Sequence, residues 1–226
     1  MREVQLPDAE SVAHRAAAEI ASAARDAVSL RDRFLFATSG GTTPWRMLRI
    51  LATLPFPWAQ SFLFQVDERV APDGNSLRNA THLADALLMQ TPEPLGGVFL
   101  MPLGALAPEV AAERYASTLH DVCGAVPILD LVHLGLGDDG HTASLVPNDP
   151  VLDVVDRDVA ATLLYAGTRR VTLTYPIVNR ARRILWVVTG PSKRDALARL
   201  RAADPVTPAG RVQQARALLL TDDATI

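Results

Sequence analysis

Two hydrophobic periods alternate along the chain. Val12, Ala16, Ile20, Ala24 and Val28 recur every four residues, which puts one apolar stripe on a helix over 8–28 with Asp8 as its side-chain cap. Residues 33–38 then read as a buried strand, 39–44 as a Gly-rich turn, and the chain up to 54 as a helix. A second strand is predicted at 61–66. Leu77, Ala80, Leu83, Ala84, Leu87 and Leu88 have helical spacing. A short strand at 98–101 precedes a helix over 108–122. The run 128–136 is the clearest buried strand, broken by Gly135, Gly137 and Gly140. Strands follow at 160–164, 171–174 and 184–189. Pro191 opens a helix to about Leu200, its fixed φ suiting a first turn. A loop over 204–210 precedes a last apolar stretch at 215–220. Apolar runs alternating with helical stretches are the pattern of a parallel sheet flanked by helices. No repeat, low-complexity tract or linker divides the chain, so residues 1–226 are expected to form one domain.

Composition narrows the functional classes. The chain has 226 residues, 49% hydrophobic and 21% charged, as expected of a soluble globular protein. Its net charge of −3 gives no basic surplus for nucleic acid, though a small anion needs only a few local charges. The single cysteine, Cys123, excludes an internal disulfide and reads as a small core residue. Asp8 and Glu10 interrupt any leader-like apolar region, and no run reaches the ~20 residues of a membrane span. A cytoplasmic protein with neither membrane nor nucleic-acid partner is the expectation.

Four segments carry chemistry. Ser39-Gly40-Gly41-Thr42-Thr43-Pro44 lies between a strand and a helix, where glycines, backbone N–H groups, hydroxyls and the helix's positive end suit a phosphate. It is neither a P-loop nor a dinucleotide fingerprint; the plain alternative is a tight turn with a Thr cap. Asp67-Glu68-Arg69 follows a strand, and ligands of open α/β sheets bind beyond the carboxyl ends of strands. In Gly135-Leu136-Gly137-Asp138-Asp139-Gly140-His141-Thr142 a histidine suited to moving protons near neutral pH sits beside two carboxylates, either of which can fix its tautomer. The competing reading makes His141 a cap on a helix begun at Thr142. His133, inside an apolar strand, is expected to be a packed histidine, and no Cys or His spacing resembles a zinc site. Finally, Arg169 and Arg170 lead into a strand, and Lys193 falls at the helix start marked by Pro191. A cation there opposes the helix dipole, a broken local rule that points to a shared anion.

These segments, taken in order, resemble the 6-phosphogluconolactonase family, relatives of glucosamine-6-phosphate deaminase. The resemblance runs from Phe34 to Leu200 through ATSGGTTP, FQVDERVAP with Arg78-Asn79, LDLVHLGLGDDGHTASLVP and RRVTLTYPIVNRARRILWVVTGPSKRDAL. The most diagnostic part is Gly-Asp-Asp-Gly-His-Thr-Ala-Ser-Leu, in which Val146 stands where the family usually has phenylalanine. The C-terminal segment departs further: Pro205-Val206-Thr207-Pro208-Ala209 replaces a Leu-Pro-Ala stretch, and no tryptophan follows Trp186.

The resemblance implies a doubly wound, largely parallel sheet with helices on both faces. It implies hydrolysis of 6-phospho-D-glucono-1,5-lactone without metal or organic cofactor. His141 would be the general base and Asp139 its orienting carboxylate. Ser39, Gly40, Gly41, Thr42, Asp67, Arg170 and Lys193 would bind substrate and its phosphate, and Arg69 would serve either the oxyanion or the phosphate. Two rivals remain at this level. An amino-sugar-phosphate deaminase would resemble Asp-Glu-Tyr at the second segment, where this chain has Arg69. A non-catalytic sugar-phosphate sensor could dispense with His141 and would carry a helix-turn-helix segment.

Overall fold

The computed structural model describes residues 1–104 and 106–222. Five strands predicted from apolar runs are present: β2 (Phe34–Thr38), β3 (Ser61–Gln65), β5 (Gly97–Phe99), β6 (Leu131–Leu134) and β9 (Ile184–Val188). With β1 (Arg2–Leu6) and β10 (Ala217–Asp222) they build a seven-stranded sheet in the order β1-β10-β9-β6-β2-β3-β5, every pair parallel. Side chains alternate across it. Phe34, Phe36, Leu63, Leu131, Leu185 and Val187 face one apolar cluster, and Leu35, Phe64, Val132, Leu134, Trp186 and Val188 face the other. The first cluster is closed by α1 (Ala9–Arg31) and α2 (Thr42–Leu51), the second by α4 (Pro108–Cys123), α5 (Tyr175–Arg180) and α6 (Arg194–Arg201). A sheet buried on both faces explains why its strands read as unbroken apolar runs.

Asp8 caps α1 as expected, its side chain accepting from the Ser11 N–H at 2.7 Å. α2 starts at Thr42, within the predicted turn. The predicted helix around Leu77–Leu88 is α3 (Asn79–Leu83) continued by a wider π-turn over Ala84–Leu88. Pro191 opens a short 3-10 turn, Pro191–Lys193, before α6, so Lys193 caps that helix. No helix starts at Thr142: 142–145 close a tight turn with Ala143 at φ 52°, which removes the helix-cap reading of His141.

The strands reverse order between β2 and β6. From β2 the chain moves outward through β3 to β5; from β6 it moves the other way through β9 to β10, on whose outer edge the N-terminal β1 lies. Loops leaving β2 and β6 therefore part to opposite sides and open a crevice at their carboxyl ends. Over that edge lies a second sheet, antiparallel, of β4 (Asp67–Arg69), β8 (Arg170–Leu173) and β7 (Val159–Ala161) in the order β4-β8-β7. Asp67-Glu68-Arg69, which the sequence places after a strand, is thus itself a strand.

Glu68 anchors this second sheet to the first. It is fully buried and accepts from the backbone N–H groups of Arg69, Asn79 and Ala80 and from the Gln65 amide at 2.7–2.9 Å. The equally buried Arg78 guanidinium lies 3.2 Å away through Nε, a charge contact whose N–H is misaligned for a hydrogen bond. Arg78 also donates to Asp73 and to the Ala71 carbonyl. A negative charge on the first N–H groups of α3 favours the helix end. Because a buried charge left without its partner is costly, Glu68→Gln is expected to lower unfolding free energy by about 3 kcal/mol in urea titrations, with no comparable loss for Glu93→Gln on the exposed surface.

Candidate active site

The crevice at the strand reversal is a cavity of about 320 Å³. Its wall includes Ser39, Gly40, Gly41, Thr42, Asp67, Arg69, His141, Arg170 and Lys193, so all the candidate residues except Asp139 line it. Asp139 touches it through His141.

One wall is the loop after β2 with the start of α2. Gly41 at the N-cap carries no side chain to satisfy the first turn, so backbone N–H groups and the positive helix end are left for a ligand. Gly40 has no room for more: a Cβ there would lie 2.2 Å from Asn79 Oδ1. Beneath the loop, His133 is buried and accepts from the Ser39 N–H through Nδ1 at 3.2 Å, while the Ser39 hydroxyl donates to the His133 carbonyl at 3.0 Å. Burial holds the His133 pKa down near 3, so the ring is neutral and its Nδ1 stays an acceptor. The residue expected to be mere packing is the tie between the ends of β2 and β6.

The facing wall is the loop after β6. His141 is part-exposed, and its Nδ1 lies 2.6 Å from Asp139 Oδ1, which also accepts from the His141 backbone N–H at 3.1 Å. Of the two carboxylates left open by the sequence, Asp139 is the partner. Burial raises the Asp139 pKa, but the His141 N–H, the Tyr165 hydroxyl and the His141 ring outweigh it and hold the carboxyl below its usual range. An anionic Asp139 fixes the proton on Nδ1 and leaves the Nε2 lone pair available. Asp138 turns away to Lys193 at 2.5 Å, which lowers its pKa.

The third wall comes from the second sheet. Arg69 on β4 stands directly opposite Arg170 on β8. Like charges facing across an antiparallel pair cost roughly 0.2–1 kcal/mol, and the Nε of each is buried without a hydrogen-bond partner. Burial lowers the Arg170 pKa, Asp67 raises it and Arg69 lowers it further, yet a guanidinium stays charged at neutral pH. Two fixed cations with spare donors are built to meet an anion. Asp67, by contrast, is occupied: Oδ2 accepts from the Ser144 hydroxyl at 2.6 Å and Oδ1 from Asn79 at 3.3 Å. Among the described residues no group of three His, Cys, Asp or Glu side chains gathers in the manner of a metal site.

Residues 7–220 match the family model described as glucosamine-6-phosphate isomerases/6-phosphogluconolactonase. The chain belongs to this family. It is 38% identical to a 6-phosphogluconolactonase of Synechocystis, over 79% of this chain and 77% of that one. Identity to a 6-phosphogluconolactonase of Nostoc is 35%, over 95% and 92%. The solved 6-phosphogluconolactonase of Thermotoga maritima superposes with a TM-score of 0.86 at 26% identity, covering 98% of both chains. The α/β fold implied by the sequence resemblance is therefore the family's fold.

The family motif accounts for His141, Asp139, Arg69 and Arg170, but not for Tyr165. That residue's hydroxyl donates to Asp139 Oδ2 at 2.8 Å, and Arg170 stacks on its ring at 4.9 Å. Residues 160–164 were expected as a strand; β7 ends at Ala161, and Tyr165 opens a turn, with Ala166 and Gly167 both at positive φ and Tyr165 pairing with Thr168. Gly167 was the one local signal, since a type I′ turn needs positive φ at both central residues and Ala166 lacks the Asn, Asp or Gly that favours it.

Gly137 shows how tightly His141 is seated. A Cβ at this position would fall 2.0 Å from His141 Nδ1, so any larger residue displaces the ring. Gly137→Ala is expected to cut turnover by roughly 100-fold, the scale of a misplacement near 1 Å, while circular dichroism and melting temperature stay close to wild type.

Proposed function

We propose that this chain hydrolyses 6-phospho-D-glucono-1,5-lactone to 6-phospho-D-gluconate in the pentose phosphate pathway, with His141 as general base. The observation that carries the reading is the His141–Asp139 pair facing two unpaired arginine Nε groups and a bare helix N-terminus across one cavity. The lactonase names of its relatives support it. The engagement of Asp67 with Ser144 and Asn79, and Arg69 in place of the deaminase tyrosine, weigh against a deaminase, which needs a free carboxylate base at this strand end.

The substrate phosphate sits against the Ser39–Thr42 loop, where Ser39 is tied to His133 and Gly40, Gly41 and Thr42 present the neutral donors, with Arg170 and Lys193 supplying charge. The lactone carbonyl then faces His141. Nε2 takes a proton from water as the water oxygen bonds to C1, and the carbonyl electron pair moves onto its oxygen. Arg69 steadies that negative charge, or shares the phosphate with Arg170. As the tetrahedral species collapses, the bond from C1 to the ring oxygen breaks and His141 returns its proton to that oxygen. The new carboxylic acid ionises into solvent. Asp139 keeps the imidazole in the tautomer that can do this and stabilises its protonated form. The scheme uses no metal or organic cofactor. The same reading places the enzyme in the cytoplasm, acting without a membrane or nucleic-acid partner.

Acid release from freshly prepared lactone, corrected for spontaneous opening, tests the assignment. His141→Asn should lose 10²–10⁴-fold in kcat, on the order expected for a general acid–base, with affinity for 6-phosphogluconate held within threefold. A variant as active as wild type would remove His141 from the chemistry. Ammonia release from glucosamine 6-phosphate faster than lactone opening would replace the whole assignment.

Phosphate recognition is tested separately by calorimetric titration. Arg170→Ala and Lys193→Ala should each weaken 6-phosphogluconate binding by about 1.5–3 kcal/mol, the scale of a charge-assisted contact. Gluconate should bind far more weakly than 6-phosphogluconate to the wild type; equal affinities would mean that the phosphate is not read.

A further inference from the structure

The turn after β7 places a phenol against the outer oxygen of Asp139. Asp139 Oδ1 is taken up by His141, through both ring and backbone, and Oδ2 accepts the Tyr165 hydroxyl at 2.8 Å. The same hydroxyl lies 3.4 Å from His141 Nδ1, and the two rings meet edge to face at 5.6 Å. Asp139 is exposed and belongs to a loop whose neighbour Asp138 is claimed by Lys193, so without a donor to Oδ2 its carboxylate is held through Oδ1 alone and can pivot about that oxygen. The phenol is itself held on two sides. Its ring carries the Arg170 guanidinium, and its backbone closes a two-residue turn that places Ala166 at φ 47° and Gly167 at φ 82°. A non-glycine residue at positive φ is disfavoured and persists where the surroundings require it.

We infer that Tyr165 is a positioning residue for hydrolysis, the third member of a Tyr165–Asp139–His141 chain in which its hydroxyl locks the carboxylate that orients the base. This rests on His141 being the base. The chain has a direction: the phenol donates to Asp139, Asp139 accepts from Nδ1–H, and Nε2 faces the water. The hydrogen bond to Asp139 also disfavours ionisation of the phenol, as burial does more strongly, so Tyr165 remains a donor. Its ring serves a different end, as a platform for Arg170, and a phenylalanine preserves that platform.

Tyr165→Phe in the full chain separates the two. The expected result is a kcat lowered roughly tenfold, as when an outer partner of a working histidine is removed, with KM and 6-phosphogluconate affinity within twofold and an unchanged melting temperature. In an Asp139→Asn background the same substitution should cost nothing further, since the group it holds is already gone. A Tyr165→Phe enzyme within twofold of wild-type kcat overturns the inference, as does an equal loss in both backgrounds or a loss confined to KM or to stability. His141→Asn, assayed alongside, distinguishes this failure from that of the underlying reading: if it retains activity, the base has been misassigned; if it is inactive while Tyr165→Phe is normal, only the role of Tyr165 falls.

Discussion

Strand order reverses between β2 and β6, and the cleft exists because of that reversal. Two parallel strands that lead their chains apart leave an opening where any others would be crossed by a connecting loop. The opening must be kept at a fixed width, because the groups that meet across it come from separate loops. His133 does this from below. Its uncharged ring receives the Ser39 N–H, and its carbonyl receives the Ser39 hydroxyl, so the floor of one wall is bonded to the root of the other.

The remaining walls depend on small residues and buried charge in similar measure. Gly40 and Gly137 let Asn79 and His141 approach the backbone to distances a Cβ would forbid. Glu68 binds three backbone N–H groups together and so fixes both the strand that carries Arg69 and the helix that starts at Asn79. The arginine pair across β4 and β8 is tolerated because the rest of the second sheet is buried and well bonded. The Asp67 carboxylate, which raises the Arg170 pKa, offsets part of that repulsion.

The sheet was legible in the sequence because burial on both faces leaves uniform apolar strands, and the helices because one stripe of each is apolar. β1 was not legible: its burial is slight, and only pairing with β10 at the far end of the chain makes it a strand. α5 is six residues long, too short for a period to show, and it follows β8 after a single residue. β4 is three residues of charge, whose strand character comes wholly from β8. For the site, the glycines and the His141–Asp139 spacing were readable because both are local. Tyr165 was not, since its meaning lies in a contact 26 residues away in sequence. The C-terminal departure from the family pattern proves to lie under the loop that carries His141: Ala209 donates to the Gly140 carbonyl, and Thr207 packs against Gly140.

The neutral state of His133 carries a cost that appears only in acid. Burial lowers its folded-state pKa to about 3, whereas an unfolded histidine titrates near 6.5. Above that unfolded value the difference is silent. As pH falls from about 6.5 towards 3, the unfolded chain takes up a proton that the folded core refuses, and stability drains at up to about 1.4 kcal/mol per pH unit. The imidazole that sets the width of the cleft therefore also gives the molecule an acid threshold, one located in its core and separate from the His141 ring that lines the cavity.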